Sequence, residues 1–312
     1  MTGNPLDGVL ATVTAPIRAF LDDPAVTDIM LNPNGSLWIQ AHGLGRYQAD
    51  VTVRPDVART LLALVASDND AALSRDTPMV SGTLPHWHAR VQGLLPPLVA
   101  SPSFSLRMPP SVVYSIEDYV EKGILSEAHR EFIENAVLAR RNIIVAGGTG
   151  SGKTTFANAL LRIIADKTTD RVYVIEDTSE LQFSGPNVVA QRTVPGCCDT
   201  RMAVYLALRA NPDRIIVGEM RDGAAYDLLK AWGTGHSGGV ATVHANDAAS
   251  VPERLCALSE EVVANVPRSV VADALDICIH LEARGDARRV TGIIAVDGYD
   301  ARASRWETRP VP

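Results

Sequence analysis

Lysine is the scarce residue of this chain. Of 29 basic residues in 312, only Lys122, Lys153, Lys167 and Lys230 are lysines, and 36 acidic residues leave a net charge of −7. That balance argues against a broad electrostatic footprint for nucleic acid, and no interleaved basic and aromatic patch offers a stacking platform. Cysteine is also sparse: Cys197 and Cys198 are adjacent, while Cys256 and Cys278 stand alone on apolar segments. Without a CxxC pair a zinc site is not expected, and buried, reduced thiols are. No apolar run approaches the roughly 20 residues of a membrane span. The opening residues, MTGNPLDGVLATVTAPIRAFL, have neither the charged leader nor the sustained apolar core of a signal peptide, so a cytoplasmic location is expected.

What remains is globular in composition, 46% hydrophobic and 21% charged, and long enough for two domains. Residues 1–108 read as a small α+β domain. ATVTAPIRAFLDD has helical spacing, and DIMLNPNGSLWIQ is two apolar runs around an Asn-Pro-Asn-Gly turn. RYQADVTV alternates as a strand, and PDVARTLLALVASD opens a helix on proline. ARVQGLLPP and SFSLRMPP are short strands stopped by prolines. His86 and His88 in PHWHAR read as a turn entering a strand rather than as a metal pair. Prolines and serines in MPPSVVYS mark a linker, placed at 109–118. Ser126 then caps a helix in SEAHREFIENAVLARR with Phe132, Ile133, Ala136 and Val137 on one face.

From 119 to 312 the rhythm is α/β. The continuous apolar runs NIIVAG, RVYVIED, RIIVGE and GGVATVHA alternate with helical segments, as in a mainly parallel sheet buried on both faces. The end, DICIHLEARGDARRVTGIIAV, reads as a strand hairpin with a charged turn.

IIVAGGTGSGKTTF carries a phosphate loop, Gly-x4-Gly-Lys-Thr, with an apolar strand before it and a helical run after it. Gly147, Gly148, Thr149, Gly150, Ser151 and Gly152 form the loop. Lys153, Thr154 and Thr155 open the helix, whose N-terminus favours anions. Lys153 is placed on the β- and γ-phosphates of ATP, and the Thr154 hydroxyl on Mg²⁺. The glycine spacing of a dinucleotide fold is not met.

Two neighbouring strands end in acids. RVYVIED closes on Glu176 and Asp177, and RIIVGE closes on Glu219, with Gly218 where an aspartate is commonest. One acid is expected to hold the Mg²⁺ shell and the other to orient the attacking water. His244 ends GGVATVH at the same sheet edge, where an imidazole can donate to a γ-phosphate oxygen. His236 lies in the preceding loop.

Taken in order, the phosphate loop, VIEDTSELQ, PDRIIVGEMRD and GTGHSGGVATVHAND resemble the Walker A, Asp box, Walker B and His box of the secretion-ATPase superfamily. That superfamily drives type II and type IV secretion and type IV pili. LKAWGTGHSGGVATVHAND is most similar to its conjugative-transfer branch, of the TrbB type. VTDIMLNPNGSLWIQ, RVQGLLPP and SLRMPP are similar to its N-terminal domain. The resemblance implies a RecA-like P-loop domain behind a smaller α+β domain, ATP and Mg²⁺ as cofactors, and a homohexameric ring with ATP near subunit boundaries. It also implies inner-membrane secretion components as partners and a place at the inner face of the cell membrane. It makes Glu176 the water-orienting base, Glu219 a metal-shell ligand, and Arg107 and Arg90 the arginines that the N-terminal domain supplies to the nucleotide. Arg201 and Arg209 match family arginines, but Met202 and Asn211 depart from its pattern. The four-cysteine zinc module of many type II members is absent, which favours the type IV branch.

Two other readings use the same core. A DNA-translocating ATPase is disfavoured by the acidic balance, and a non-hydrolysing nucleotide switch by the presence of both acids.

Overall fold

In the first unit, Met1–Ser111, burial alternates along short strands, the pattern of a sheet covered on one face. The computed structural model describes residues 5–69, 71–109, 113–194, 196–284 and 287–311. Its first six strands are β1 Val26–Leu31, β2 Ser36–Ala41, β3 Gly45–Thr52, β4 Met79–Leu84, β5 Ala89–Leu94 and β6 Ser103–Arg107. They form one antiparallel sheet in the order β3-β2-β1-β6-β5-β4. Ile29, Leu37, Ile39 and Leu106 bury one face in the same core as Ala58, Leu61, Leu62 and Val65 of the helix Pro55–Asp68. The N-terminal helical run is interrupted, Pro5–Thr14 giving way to a tight turn at Ala15–Ile17 before Arg18–Leu21. Pro16 lacks the N–H that an unbroken helix would use there. His86 and His88 flank Trp87 in the β4–β5 turn with φ of 67° and 51°.

The second unit, Val112–Pro312, holds β7 Ile143–Gly147, β8 Val172–Glu176, β9 Val188–Arg192, β10 Arg214–Met220, β11 Val240–Val243, β12 Ile277–Arg284, β13 Ala287–Asp300 and β14 Arg305–Pro310. The order is β14-β13-β12-β7-β11-β10-β8-β9. β12 through β9 run parallel, and β13 and β14 close one side antiparallel. β7, β8 and β11 are buried throughout because both faces are covered. Ile143 and Val145 face Phe156 and Leu160 of the helix Lys153–Lys167. Ile144 and Ala146 share a core with Val204, Leu228, Trp232, Leu255 and Val271 from four helices on the other side.

Several expectations need correction. The linker expected at 109–118 ends too late: Ser115 caps a helix over Ile116–Glu121, accepting from the Asp118 N–H while the Asp118 carboxylate accepts from the Ser115 N–H. Residues 110–112 of that linker lie outside the described residues. β9 and β14 are missing from the sequence reading because each is an edge strand that alternates between exposed and half-buried. The thiols are not all buried: Cys256 and Cys278 are, whereas Cys198 is partly exposed and Cys197 exposed, in the turn that follows β9. Asn211 has φ of 51°, a left-handed turn conformation that asparagine tolerates better than arginine does.

Candidate active site

In a parallel sheet the chemistry gathers at the C-terminal ends of the strands. β7 ends at Gly147, and the chain turns through the exposed tip Gly148, Thr149 and Gly150 before the helix begins at Lys153. Gly147, Gly150 and Gly152 take φ of 152°, 74° and 93°. A Cβ at Gly147 would meet the Leu281 carbonyl oxygen at 2.3 Å and Ser151 Oγ at 2.6 Å. Only glycine fits there. Ser151 Oγ is buried without a hydrogen-bond partner among the described residues, the kind of orphan that a bound oxyanion satisfies. Lys153, only 8% exposed, donates to the carbonyls of Gly147 at 3.0 Å and Gly148 at 2.9 Å. Burial pulls its ammonium below the ordinary lysine range, opposed by the charge of Glu219. Thr154 and Thr155 follow, half-buried in the first turn.

Glu176 ends β8, 7% exposed, and its Oε1 accepts from the N–H groups of Glu180 at 2.9 Å and Leu181 at 2.8 Å. Burial pushes its carboxyl up to about 7, outweighing those two donors. Buried Asn158, on the helix after the loop, accepts from the Gln182 N–H and donates to the Glu180 carbonyl. It thereby fixes the segment that holds Glu176. Gly218 now has a reason: a Cβ there would lie 3.1 Å from Glu176 Cγ. The glycine leaves room for the glutamate of the next strand.

Glu219 sits between the His244 imidazole and the Arg221 guanidinium. Its Oε1 is 2.9 Å from His244 Nε2, and its Oε2 accepts from Arg221, which also donates to Asp177 at 2.7 Å. His244 Nδ1 is 3.4 Å from Lys153 Nζ. With the proton on Nε2, the imidazole donates to Glu219 and accepts from Lys153. Lys153, His244, Glu219, Arg221 and Asp177 therefore form one chain of contacts at the sheet edge. A cavity of about 270 Å³ beside it is lined by Glu176, Asp177, Cys198, Asp199, Glu219 and Arg221, among others. Arg221, Asn158 and the role of Gly218 were missed in the sequence. Arg221 had a signal: two residues past Glu219 in an extended segment, it shares that residue's side of the strand.

His236 is elsewhere. It precedes β11, at the end of the strand opposite His244, with a buried Nδ1 that has no partner among the described residues. Around it the glycines serve packing. Asn142 Oδ1 accepts from the N–H groups of Gly238 and Gly239, and buried Arg214 donates to the Gly238 carbonyl while pairing with Asp170 at 2.6 Å. Arg201, on the helix Thr200–Ala207, pairs with Asp227 at 2.7 Å.

In the first unit, Arg90 and Arg107 are directly opposite each other on β5 and β6, and Arg107 is opposite Asp28 on β1. Arg107 Nε donates to Asp28 Oδ1 at 3.0 Å, with the arginine side chain 58% exposed. The two candidate arginines thus share one face of the antiparallel sheet.

Residues 14–283 match the family model described as type II/IV secretion system protein. The conjugal transfer protein TrbB of Rhizobium radiobacter is 41% identical over 289 residues, covering 92% of this chain and 88% of the relative. The type IV secretion system protein VirB11 of Bartonella quintana is 30% identical over 294 residues, covering 81% and 82%. The crystal structure of the pilus retraction motor PilT with bound ADP shares the fold, with a TM-score of 0.65 at 20% identity over 91% of this chain and 81% of that one. A family model spanning most of the residues and a relative of this similarity place the chain in the type II/IV secretion system protein family.

Proposed function

We propose that the chain is the ATP-hydrolysing motor of a type IV secretion or conjugative-transfer apparatus, working as a homohexameric ring at the cytoplasmic face of the inner membrane. It is an ATPase of the branch that holds TrbB and VirB11. The observation that carries the reading is the contact chain from Lys153 through His244 to Glu219, beside a loop whose Ser151 hydroxyl is buried and unpartnered.

Lys153 has two carbonyl acceptors on the loop and can exchange them for phosphate oxygens, which carry full charge. Thr154 and Glu219 would hold Mg²⁺, which when bound would supply charge neutralisation to the phosphates. A site of one hydroxyl and one carboxylate suits an ion that keeps several waters. Glu176, pushed up to about 7, is matched to accepting a proton from the attacking water near neutral pH. His244 is already bonded to Glu219, so its response to a γ-oxygen is an exchange of partner rather than a new bond. Arg107 and Arg90 are assigned to the nucleotide, from a neighbouring copy or from the same chain, where transition-state charge rewards a guanidinium. Inner-membrane components of the apparatus are the partners. Among the described residues no helix is long and apolar enough to cross a membrane.

Steady-state phosphate release from ATP, with solution mass measured with and without nucleotide, tests the reading. Turnover with a mass near six chains is the expected result, and absence of phosphate release overturns the motor. Mixing Arg107→Ala with Lys153→Ala protein tests the ring. Recovered activity places the arginine across a boundary, because some boundaries then pair an intact loop with an intact arginine; no recovery places it within one chain.

A further inference from the structure

By its sequence the hairpin of β12 and β13 is a strand pair with a charged turn. Its position gives it more to do. β12 lies beside β7 in parallel register, Leu281 level with Gly147, and the backbones approach closely enough that the Leu281 carbonyl excludes any Cβ at Gly147. The hairpin continues past that point, and Arg288 on β13 is opposite Ala283 on β12. Its side chain crosses the last glycine of the phosphate loop: a Cβ on Gly152 would be 3.1 Å from Arg288 Cδ and 3.4 Å from Nε. Gly152 is the left-handed N-cap of the helix that starts at Lys153. Beneath it Phe156 packs edge-on against Tyr119, with ring centroids 4.9 Å apart, and the charge of Arg288 reaches the Tyr119 hydroxyl. Arg288 is exposed and has no ion pair among the described residues. Other arginines of the unit, Arg140, Arg141, Arg201, Arg214, Arg221 and Arg268, each have a carboxylate.

Sheet order says which end of a nucleotide it meets. β7 lies between β11 and β12. Glu219 and His244 stand on the β10–β11 flank, so that is where a terminal phosphate belongs. A phosphate chain threaded through the loop from that flank leaves it on the β12 flank, at the hairpin. We propose that Arg288 is a nucleotide-binding residue, its guanidinium holding the α-phosphate on the nucleoside side of the loop. This rests on the nucleotide reading of the site and adds a residue from the far end of the chain. A guanidinium offers a planar fork of donors to phosphate oxygens, while an ammonium supplies charge without the fork.

Calorimetric titration of ATP, ADP and inorganic triphosphate into the full chain, as wild type, Arg288→Ala and Arg288→Lys, tests it. Arg288→Ala should weaken ATP and ADP alike, by roughly ten- to a hundredfold for one charge-assisted contact. Triphosphate should weaken with them, and Arg288→Lys should recover part of each loss. Unchanged ADP affinity in Arg288→Ala overturns the proposal, and so does a loss confined to ATP, which would put the arginine on the γ side. A loss for ATP and ADP with triphosphate unaffected and no recovery in Arg288→Lys overturns it too, in favour of a stacked base. Wild type that binds none of the three defeats the nucleotide reading itself, whereas wild-type binding with an equal Arg288→Ala defeats only this inference. Thermal unfolding of both variants checks that the fold is kept.

Discussion

β11 is four residues long, and its two ends do different work. Before it, Gly238, Gly239, Asn142, Arg214 and Trp232 interlock with almost no space to spare. After it, His244 reaches both the loop lysine and the strand-end glutamate. Both ends are rich in residues that commonly signal function. Residue type does not separate them; strand direction does. In a parallel sheet the C-terminal ends of the strands open onto the crevice, while the N-terminal ends must be closed by packing. Substitutions at the two ends should differ in what they change, turnover at one and stability at the other.

The largest effect belongs to Lys153→Ala. Removing the ammonium at the loop should lower hydrolysis by about a hundredfold or more, as loss of a transition-state donor does. The unfolding midpoint should hardly move. Normal turnover in this variant would remove the phosphate-loop assignment.

Next come Glu176→Gln and Glu219→Gln, each expected to cut turnover by about a hundredfold while ATP affinity changes by less than tenfold. Collapse of binding in Glu176→Gln with survival in Glu219→Gln would reverse the roles of base and metal-shell ligand. Glu176 also has a pH signature independent of activity. Its folded carboxyl titrates near 7 and an ordinary one near 4.5. Between those values the native state holds a proton that the unfolded chain has released, so this group's contribution to stability falls as pH rises through the window. Denaturant midpoints at pH 5 and pH 8 should therefore differ less in Glu176→Gln than in wild type. An identical difference would mean that burial does not raise the group.

How much of this was legible in the residues depended on whether a contact was local. The phosphate loop was, because an apolar strand, a fixed glycine spacing and a helix follow one another within about twenty residues. The strands β7, β8, β10 and β11 were, as unbroken apolar runs. The acids and His244 followed from strand direction. β9 and β14 were not, since an edge strand keeps half its side chains in water and loses the apolar signal. Gly218 and Asn158 were out of reach for another reason. Each acts on Glu176 from a different element, and nothing in a linear spacing reports that. Arg221 was within reach, by period two from Glu219.

At the packed end, Gly239→Ala is the sharpest probe. A Cβ there would sit 2.1 Å from Trp232 Nε1, which is buried and donates to the Ile215 carbonyl at 3.1 Å. The ring cannot yield without giving up that bond, so a loss of about 1–3 kcal/mol is expected from overpacking. Protein that remains folded should bind ATP normally. A stable variant with impaired ATP binding would contradict the division between the two ends.

The smallest and most discriminating comparison is between the two histidines themselves. His244→Ala removes one bond to Glu219 and one contact with Lys153, and a partly compensated charge-assisted bond contributes about 1.5 to 3 kcal/mol. ATP affinity should nevertheless stay within roughly tenfold of wild type, because on binding the imidazole would exchange its Glu219 bond for a phosphate bond rather than add one, and the loop and its lysine still provide the cradle. Turnover should fall further than affinity, since Glu219 loses the donor that orients it. His236→Ala removes a ring whose buried Nδ1 has no partner among the described residues. Deleting an unsatisfied polar atom relieves a cost of about 1–3 kcal/mol, which offsets the packing lost with the ring. Stability should change little and ATP affinity not at all. A change in turnover in His236→Ala that depends on protein concentration would point to a contact outside the single chain. Measuring hydrolysis for both variants at several protein concentrations decides this. A defect in His236→Ala that is constant with concentration would place this histidine in the chemistry of its own chain and end the distinction drawn from the two ends of β11.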